Sequence, residues 1–231
     1  MYYALQKGFE RTTGEIMGWL NSDDMLHKNA LFTIAEVLKL QEVKWIQGVL
    51  THYDEYDRCI NVDSFKSWSK YEFWSGDYQW IQQESTYWHR DLWKKAGGYI
   101  SCEYKYAGDM ELWNRFFKYE KLYSLTCLIG GFRRQSSNQL SLNFNDDYIN
   151  EAESILSNNV FDVSMQQIIE KIRKNKNKLA LLNRWKPVKV LSESLRIKQR
   201  ISKNLKELYD YPPRISFNRD KQKFFTQEIL K

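Results

Sequence analysis

The run Glu15-Ile16-Met17-Gly18-Trp19-Leu20 is almost continuously apolar and stops abruptly at Asn21-Ser22-Asp23-Asp24, and this junction constrains the fold more than any other feature. A short apolar run without alternation fits a strand buried on both faces, and strands of that kind belong to sheets covered by helices. Asn29 to Leu40 supplies such a helix, with Ala30, Ile34, Val37 and Leu38 on one face. Strand, acidic turn and helix in that order predict an α/β sheet. The turn then sits at the carboxyl end of a strand, where open α/β sheets place their ligands.

The neighbouring segments extend this reading. Tyr2 to Thr12 is expected to be helical, with Gly14 as a left-handed stop. Trp45 to Leu50 and Cys59 to Val62 flank the polar turn Asp54 to Asp57 and suggest a hairpin. Phe65 to Trp80 is aromatic and weakly periodic, and reads as loop-rich. Helices are expected at Arg90 to Ala96, closed by Gly97-Gly98, and at Asp109 to Tyr119. Strands are expected at Tyr123 to Leu128 and Gly131 to Arg134, then helix from Asp146 almost to Pro212, broken near Asn158 and at Pro187.

Charge divides the chain in two. Residues 1–150 carry 17 Lys and Arg against 20 Asp and Glu, whereas residues 151–231 carry 18 against 9. Eight of the nine tryptophans lie in the first part. The expected organisation is an aromatic-rich folded body, residues 1–157, with a basic helical extension, residues 158–231. No apolar run approaches the ~20 residues that cross a bilayer. The N-terminal MYYALQKGFERTTGE lacks the pattern of a signal peptide. Cys59, Cys102 and Cys127 share no metal-ligand spacing and cannot all pair, which favours a reducing compartment and a cytoplasmic location.

Two adjacent aspartates on a tight turn repel each other, so Asp23-Asp24 suits a place where a cation or several donors offset the repulsion. Mg2+ or Mn2+ held by one or two carboxylates takes its other ligands from water and substrate phosphates. A solvated turn or a helix cap is the plain alternative. His27, His52 and His89 have no spacing that suggests a shared metal or a catalytic dyad.

Five segments in order along the chain strengthen the chemical reading. GEIMGWLNSDDMLHKNAL resembles the strand, acidic loop and helix of family 2 glycosyltransferases with the A-type fold. Upstream, YYALQKGFERTTGEI is similar to the family helix that ends in Gly-Glu. Downstream, IQQESTYWHRDLWKKAGGYI resembles the family segment in which a Gln-Glu-Ser/Thr strand leads into an Arg-x-x-Trp helix and a Gly-Gly turn, YAGDMELWNRFF resembles the acceptor-side helix with its acidic residue, and FRRQSSNQLS resembles the Arg-containing strand. The matches run from Tyr2 to about Glu153, two thirds of the chain.

The resemblance implies an α/β fold, a partial A-type (Rossmann-like) sheet with the basic helical extension, and an inverting transfer of a sugar from a nucleotide-diphosphate donor to a glycan or lipid-linked acceptor. By the same resemblance Asp23 is the metal ligand, the last position of an Asp-x-Asp motif whose first position is Asn21 here, and the cofactor is a divalent cation, Mn2+ or Mg2+. Asp24 caps the next helix or supports the loop. Asp109 is the catalytic base, with Glu111 and Arg115 as an i,i+4 pair beside it; an ordinary N-cap is its alternative. Arg133 and Arg134 neutralise the leaving diphosphate, and Gln135 stands where the family often has His. Gln83 and Glu84 lie on the acceptor side. Sugar C–H faces stack on aromatic rings, so Trp74, Trp80 and Trp113 are assigned to the same side, with Trp74 and Trp80 expected to be exposed.

Family members begin with β-α-β units that bind the nucleotide base, and this sequence starts at the helix that follows them. Three readings stay open: an active transferase, a portion that needs the other half from a partner chain or a second copy, and a noncatalytic glycan-binding or scaffolding relic. Twelve Lys and Arg lie between Lys171 and Lys203 against Glu193 alone. That density suits an anionic membrane surface contacted peripherally. Aromatics are not interleaved with it, which disfavours nucleic acid.

Overall fold

The computed structural model describes residues 1–134, 145–184, 201–205 and 207–227. Helix α1 spans Tyr2–Glu10, β1 Ile16–Met17, β2 Met25–Leu26, α2 Ala30–Val37, β3 Trp45–Tyr53 and β4 Cys59–Val62. A short α3 (Lys70–Trp74) and a 3-10 turn (Gln83–Ser85) lead to β5 (Thr86–His89), α4 (Arg90–Lys95), α5 (Gly108–Phe116) and β6 (Tyr123–Arg133). Then follow α6 (Asn145–Ser157), α7 (Val163–Arg184), β7 (Arg214–Asn218) and β8 (Lys223–Gln227).

One open mixed sheet runs in the order β1-β5-β3-β6-β7-β8, with β4 paired to β3 and β2 to β6. The β3–β6 and β6–β7 pairs are parallel; the others are antiparallel. Strand alternation sends neighbouring side chains to opposite faces. Accordingly Trp45 and Trp88 enter a large aromatic core with α1 and α5, while Ile46 and Tyr87 enter a second core with Ala30, Ile34 and Val37 of α2. All four apolar residues expected on the α2 face are buried.

Several sequence expectations change in detail. The acidic turn does follow a strand, but β1 is only two residues long and pairs antiparallel with β5. Helix α1 ends at Arg11, whose right-handed backbone returns its N–H to the Gly8 carbonyl while the Thr12 N–H returns to Phe9, so Gly14 is not its cap. Gly97 and Gly98 do have positive φ after α4. The two strands expected within 123–134 are one, kept continuous by register shifts against β3. The extension assigned as helical, residues 158–231, ends instead in the β7–β8 hairpin beyond Pro212, which extends the sheet through Leu125 and Ile215. Trp185, Pro187 and Gln135 lie outside the described residues.

The C-terminal segment packs on the body. Ile169 joins the aromatic core, and Ile172 packs with Leu205 and Tyr209. Arg173 donates to the Trp74 carbonyl at 3.1 Å, and Lys176 reaches Asp77 at 3.1 Å and Glu72 at 3.8 Å. Tyr211 donates to Glu72 at 2.8 Å, and burial raises the Glu72 carboxyl above its ordinary range.

Trp113 is the hub of the aromatic core. Its ring stacks on Trp19 and Trp45 at centroid distances of 5.8 and 5.6 Å and meets Trp88 edge-on at 5.4 Å. It is 1% exposed, which overturns its assignment to the acceptor side. Trp113→Ala should lower the unfolding free energy by about 3–5 kcal/mol, read by denaturant titration, because a large buried ring leaves a cavity that neighbours fill only partly. A loss under about 1 kcal/mol would show that the core does not depend on this ring.

Candidate active site

The acidic turn is held from three sides through Asp24. Its Oδ2 accepts from Asn21 Nδ2 at 3.1 Å and Gln83 Nε2 at 3.3 Å, and its Oδ1 accepts from the Arg133 backbone N–H at 3.2 Å. Asp24 is buried, and burial together with the charge of Asp23 lifts its carboxyl to about 6 against these donors. Asn21 therefore spends its amide on Asp24, and Asp24 is the anchor of the loop. Asp23 is half-buried and has no hydrogen-bond partner among the described residues, which leaves its carboxylate available to a ligand.

Glu84 comes from the 3-10 turn rather than from a strand end. Burial raises its carboxyl to about 8, and Asp24, Asp109 and Asp23 each add to the shift. Its Oε1 is buried without a partner. Gly130 of β6 permits this placement: a Cβ there would lie 2.1 Å from the Glu84 carbonyl oxygen, and Ser85 Oγ accepts from the Gly130 N–H at 3.1 Å. The four acids thus share one electrostatic locus, although they come from three segments far apart in sequence.

Asp109 is the second residue of α5, with Ala107 at the N-cap position, so it is not the helix cap. Its Oδ1 accepts from the Met110 N–H at 2.8 Å and, at 3.3 Å, from the Tyr2 hydroxyl, whose one proton is shared with the nearer Tyr106 carbonyl at 2.8 Å. Burial raises its carboxyl to about 6, and both hydrogen bonds oppose the rise. Glu151 of α6 accepts from the backbone N–H groups of Lys105, Tyr106 and Ala107 at 2.8 to 2.9 Å, which fixes the approach to α5. Glu111 and Arg115 form a two-pronged pair at 2.7 and 2.8 Å, and Arg115 also donates to the Tyr99 carbonyl. Tyr2 and Glu151 carry no local motif, and sequence reasoning missed them.

The two arginines part company. Arg133 pairs with Asp57 at 2.7 Å, in the turn between β3 and β4. Arg134 lies exposed at the rim of a cavity beside Gln79, Trp80 and Gln82. Trp80 is 45% exposed, as expected, and packs on Tyr148 at 4.9 Å. Trp74 is 2% exposed, against expectation. Its Nε1 donates to Asn114 Oδ1 at 2.9 Å and its ring meets Phe161 at 4.8 Å, because α3, capped by Ser69, turns it inward.

Raised acids make stability depend on pH with a definite sign. Glu84, Asp24 and Asp109 hold protons in the folded chain at pH values where the unfolded chain has released them, so stability falls as pH rises from about 5 to 8. Glu84→Gln should remove most of that slope in denaturant titrations at pH 5, 6.5 and 8. A variant with the parent's slope would show that Glu84 is ionised in the folded chain.

Among the described residues no group of three or more His, Cys, Asp and Glu is arranged to hold a metal ion. A lone accessible carboxylate such as Asp23 still fits a divalent ion whose remaining ligands are diphosphate oxygens and water. No described helix is long and apolar enough to cross a membrane.

No family model matches the chain, and no curated protein sequence matches it. Among solved structures, S. aureus TarS, a glycosyltransferase, is similar to it with a TM-score of 0.52 and 13% identity. The similarity covers 75% of this chain, which spans 30% of TarS. The chain therefore has a glycosyltransferase-like mixed α/β fold.

Proposed function

We propose that this chain is, or is part of, an inverting glycosyltransferase that moves a sugar from a nucleotide-diphosphate donor to a hydroxyl of a glycan or lipid-linked acceptor. The observation that carries the reading is the convergence of Asp23, Asp24, Glu84 and Asp109 on one locus of a glycosyltransferase-like sheet. Asp109 takes the proton of the acceptor hydroxyl as that oxygen attacks the anomeric carbon. The bond from that carbon to the donor phosphate breaks, and the diphosphate leaves with the electron pair. A carboxyl near 6 is poised for this, being mostly ionised at neutral pH yet basic enough to hold the proton. Tyr2 and Glu151 orient it, Asp24 and Gln83 fix the turn, and Arg134 offers a guanidinium to anionic substrate groups.

Asp23 is the residue that would hold the divalent ion, Mn2+ or Mg2+; such an ion, when bound, neutralises diphosphate charge. The test is turnover of a panel of nucleotide sugars with oligosaccharide and lipid-linked acceptors, with the anomeric configuration of the product read by NMR. Inverted product supports the reading, and glycan binding without turnover of any donor would replace it with a binding role.

The basic segment from Lys171 to Lys203 is proposed to contact an anionic membrane surface. Lys171 and Lys178 are exposed, whereas Lys176 is engaged with Glu72 and Asp77, and Lys186 to Arg200 lie outside the described residues. Binding to phosphatidylserine vesicles should weaken severalfold between about 50 and 300 mM salt as the Debye length shortens. Salt-independent binding, or none at low salt, would remove the membrane from this proposal.

A further inference from the structure

The turn between β3 and β4 reaches across to the end of β6. It is rigidly built: Asp54 Oδ1 accepts from the Tyr56 and Arg58 N–H groups at 3.0 and 2.9 Å, Asp54 Oδ2 accepts from Arg58 Nε at 2.7 Å, and the Asp57 N–H returns to the Asp54 carbonyl at 3.2 Å. Asp57 lies in the left-handed region, with φ of 63°. Aspartate and asparagine tolerate that backbone better than other residues with a Cβ. The end of β6 is equally fixed, since Tyr53 and Arg133 are register partners and the Arg134 N–H donates to the Tyr53 carbonyl at 2.7 Å. A side-chain ion pair, Arg133 Nη2 to Asp57 Oδ1 at 2.7 Å, joins the two fixed frames.

Arg133 also belongs to the acidic turn, because its backbone N–H donates to Asp24 Oδ1 at 3.2 Å. Burial raises the Asp24 carboxyl, and this N–H and the Arg133 guanidinium both oppose the rise, so the cationic group lies within the field of the turn. An anionic ligand entering a locus shared by Asp23, Asp24, Glu84 and Asp109 needs a cation to offset the repulsion. A guanidinium fork suits phosphate oxygens, which it meets two at a time. In the pair with Asp57 the Arg133 and Asp57 side chains are 26% and 63% exposed, and ion pairs open to water are weak. A phosphate bearing more than one negative charge attracts the guanidinium more strongly than one exposed carboxylate does. The exchange needs rotation of the Arg133 side chain and no backbone movement, since the bonds that fix the turn and the strand end do not involve the Asp57 carboxylate.

We propose that Asp57 and Arg133 form an exchangeable latch: Asp57 holds the guanidinium when no anionic ligand is bound, a diphosphate at the acidic turn takes it over, and Asp57 reclaims it as the diphosphate leaves. Asp57 is then a competitor of the ligand, and its carboxylate lowers diphosphate affinity while favouring release. That the ligand is a diphosphate rests on the transferase reading; the exchange of one guanidinium between two anions rests on the geometry.

The full chain with Mg2+ is titrated calorimetrically with inorganic pyrophosphate, as the parent, Asp57→Asn, Arg133→Gln and the double variant. Asparagine keeps the shape and the left-handed backbone of Asp57, Arg133→Gln keeps the backbone N–H to Asp24, and unfolding midpoints report that each variant is folded. Asp57→Asn should bind pyrophosphate about two- to fivefold tighter than the parent, the weight of one exposed ion pair. Arg133→Gln should bind more weakly than the parent, and adding Asp57→Asn to it should change nothing, because the competitor acts only through the guanidinium. Asp57→Asn binding no tighter than the parent would overturn the latch and leave Asp57 a structural support. Equal tightening with and without Arg133 would overturn it in favour of a long-range charge effect, and so would pyrophosphate binding to neither the parent nor Asp57→Asn. Nucleotide-sugar turnover is scored separately: turnover without the tightening removes the latch and leaves the transferase reading, whereas the expected pyrophosphate pattern without turnover of any donor leaves the latch and removes that reading.

Discussion

Asp109→Asn should fold with the parent's stability or better and lose turnover by about 10²–10⁴-fold, the range supplied by a positioned general base. The substitution keeps an oxygen that can accept from Met110 N–H and the Tyr2 hydroxyl, so the geometry of α5 survives while the basic electron pair is lost. Donor affinity should be unchanged, which places the defect in the chemical step. In the parent, kcat/KM should rise with pH through an inflection near 6 as the Asp109 carboxyl ionises. Tyr2→Phe should move that inflection upward, because the hydroxyl that stabilises the carboxylate is removed. Asp109→Asn turning over at the parent rate would remove this residue from the mechanism.

Asp23→Ala should cost at least ~10²-fold in turnover, on the scale of losing one electrostatic contact to a leaving group that gains charge. The parent should lose activity in chelator and recover it with Mn2+ or Mg2+, and the variant should need far more of either ion. Asp24→Asn separates the roles: it should weaken the turn held by Asn21, Gln83 and Arg133 and lower stability without abolishing ion dependence. Full activity of the parent in chelator, with Asp23→Ala indistinguishable from it, would sink the assignment of Asp23.

Much of the fold was legible because local pattern and tertiary demand coincide. The face of α2, the β3–β4 hairpin, the glycine stop after α4 and the helix bearing Asp109 all follow from periodicity and turn chemistry. The failures share a cause. Trp74 looked exposed because its segment lacks a clean period, yet a five-residue helix capped by Ser69 is enough to turn it onto Asn114 and Phe161. Trp113 sits in a helix motif that resembles a functional one, and its burial comes from three tryptophans on other segments. The β7–β8 hairpin lies beyond Pro212 in the segment assigned to the basic helical extension, and its place is set by the free side of β6.

The sequence by itself determined the fold class, the acidic turn and the residue types that could perform transfer chemistry, since apolar runs, helix periods and carboxylates are local properties. It could not say that Asp24 is an anchor and Asp23 the accessible carboxylate, because that distinction depends on donors contributed by Gln83 and Arg133. Nor could it separate Arg133, drawn to Asp57, from Arg134 at the cavity rim, although the two are adjacent. The raised acids exist only once the sheet has excluded water from them. Desolvation acts over distances in space, and only the tertiary structure decides which charges share one dry volume.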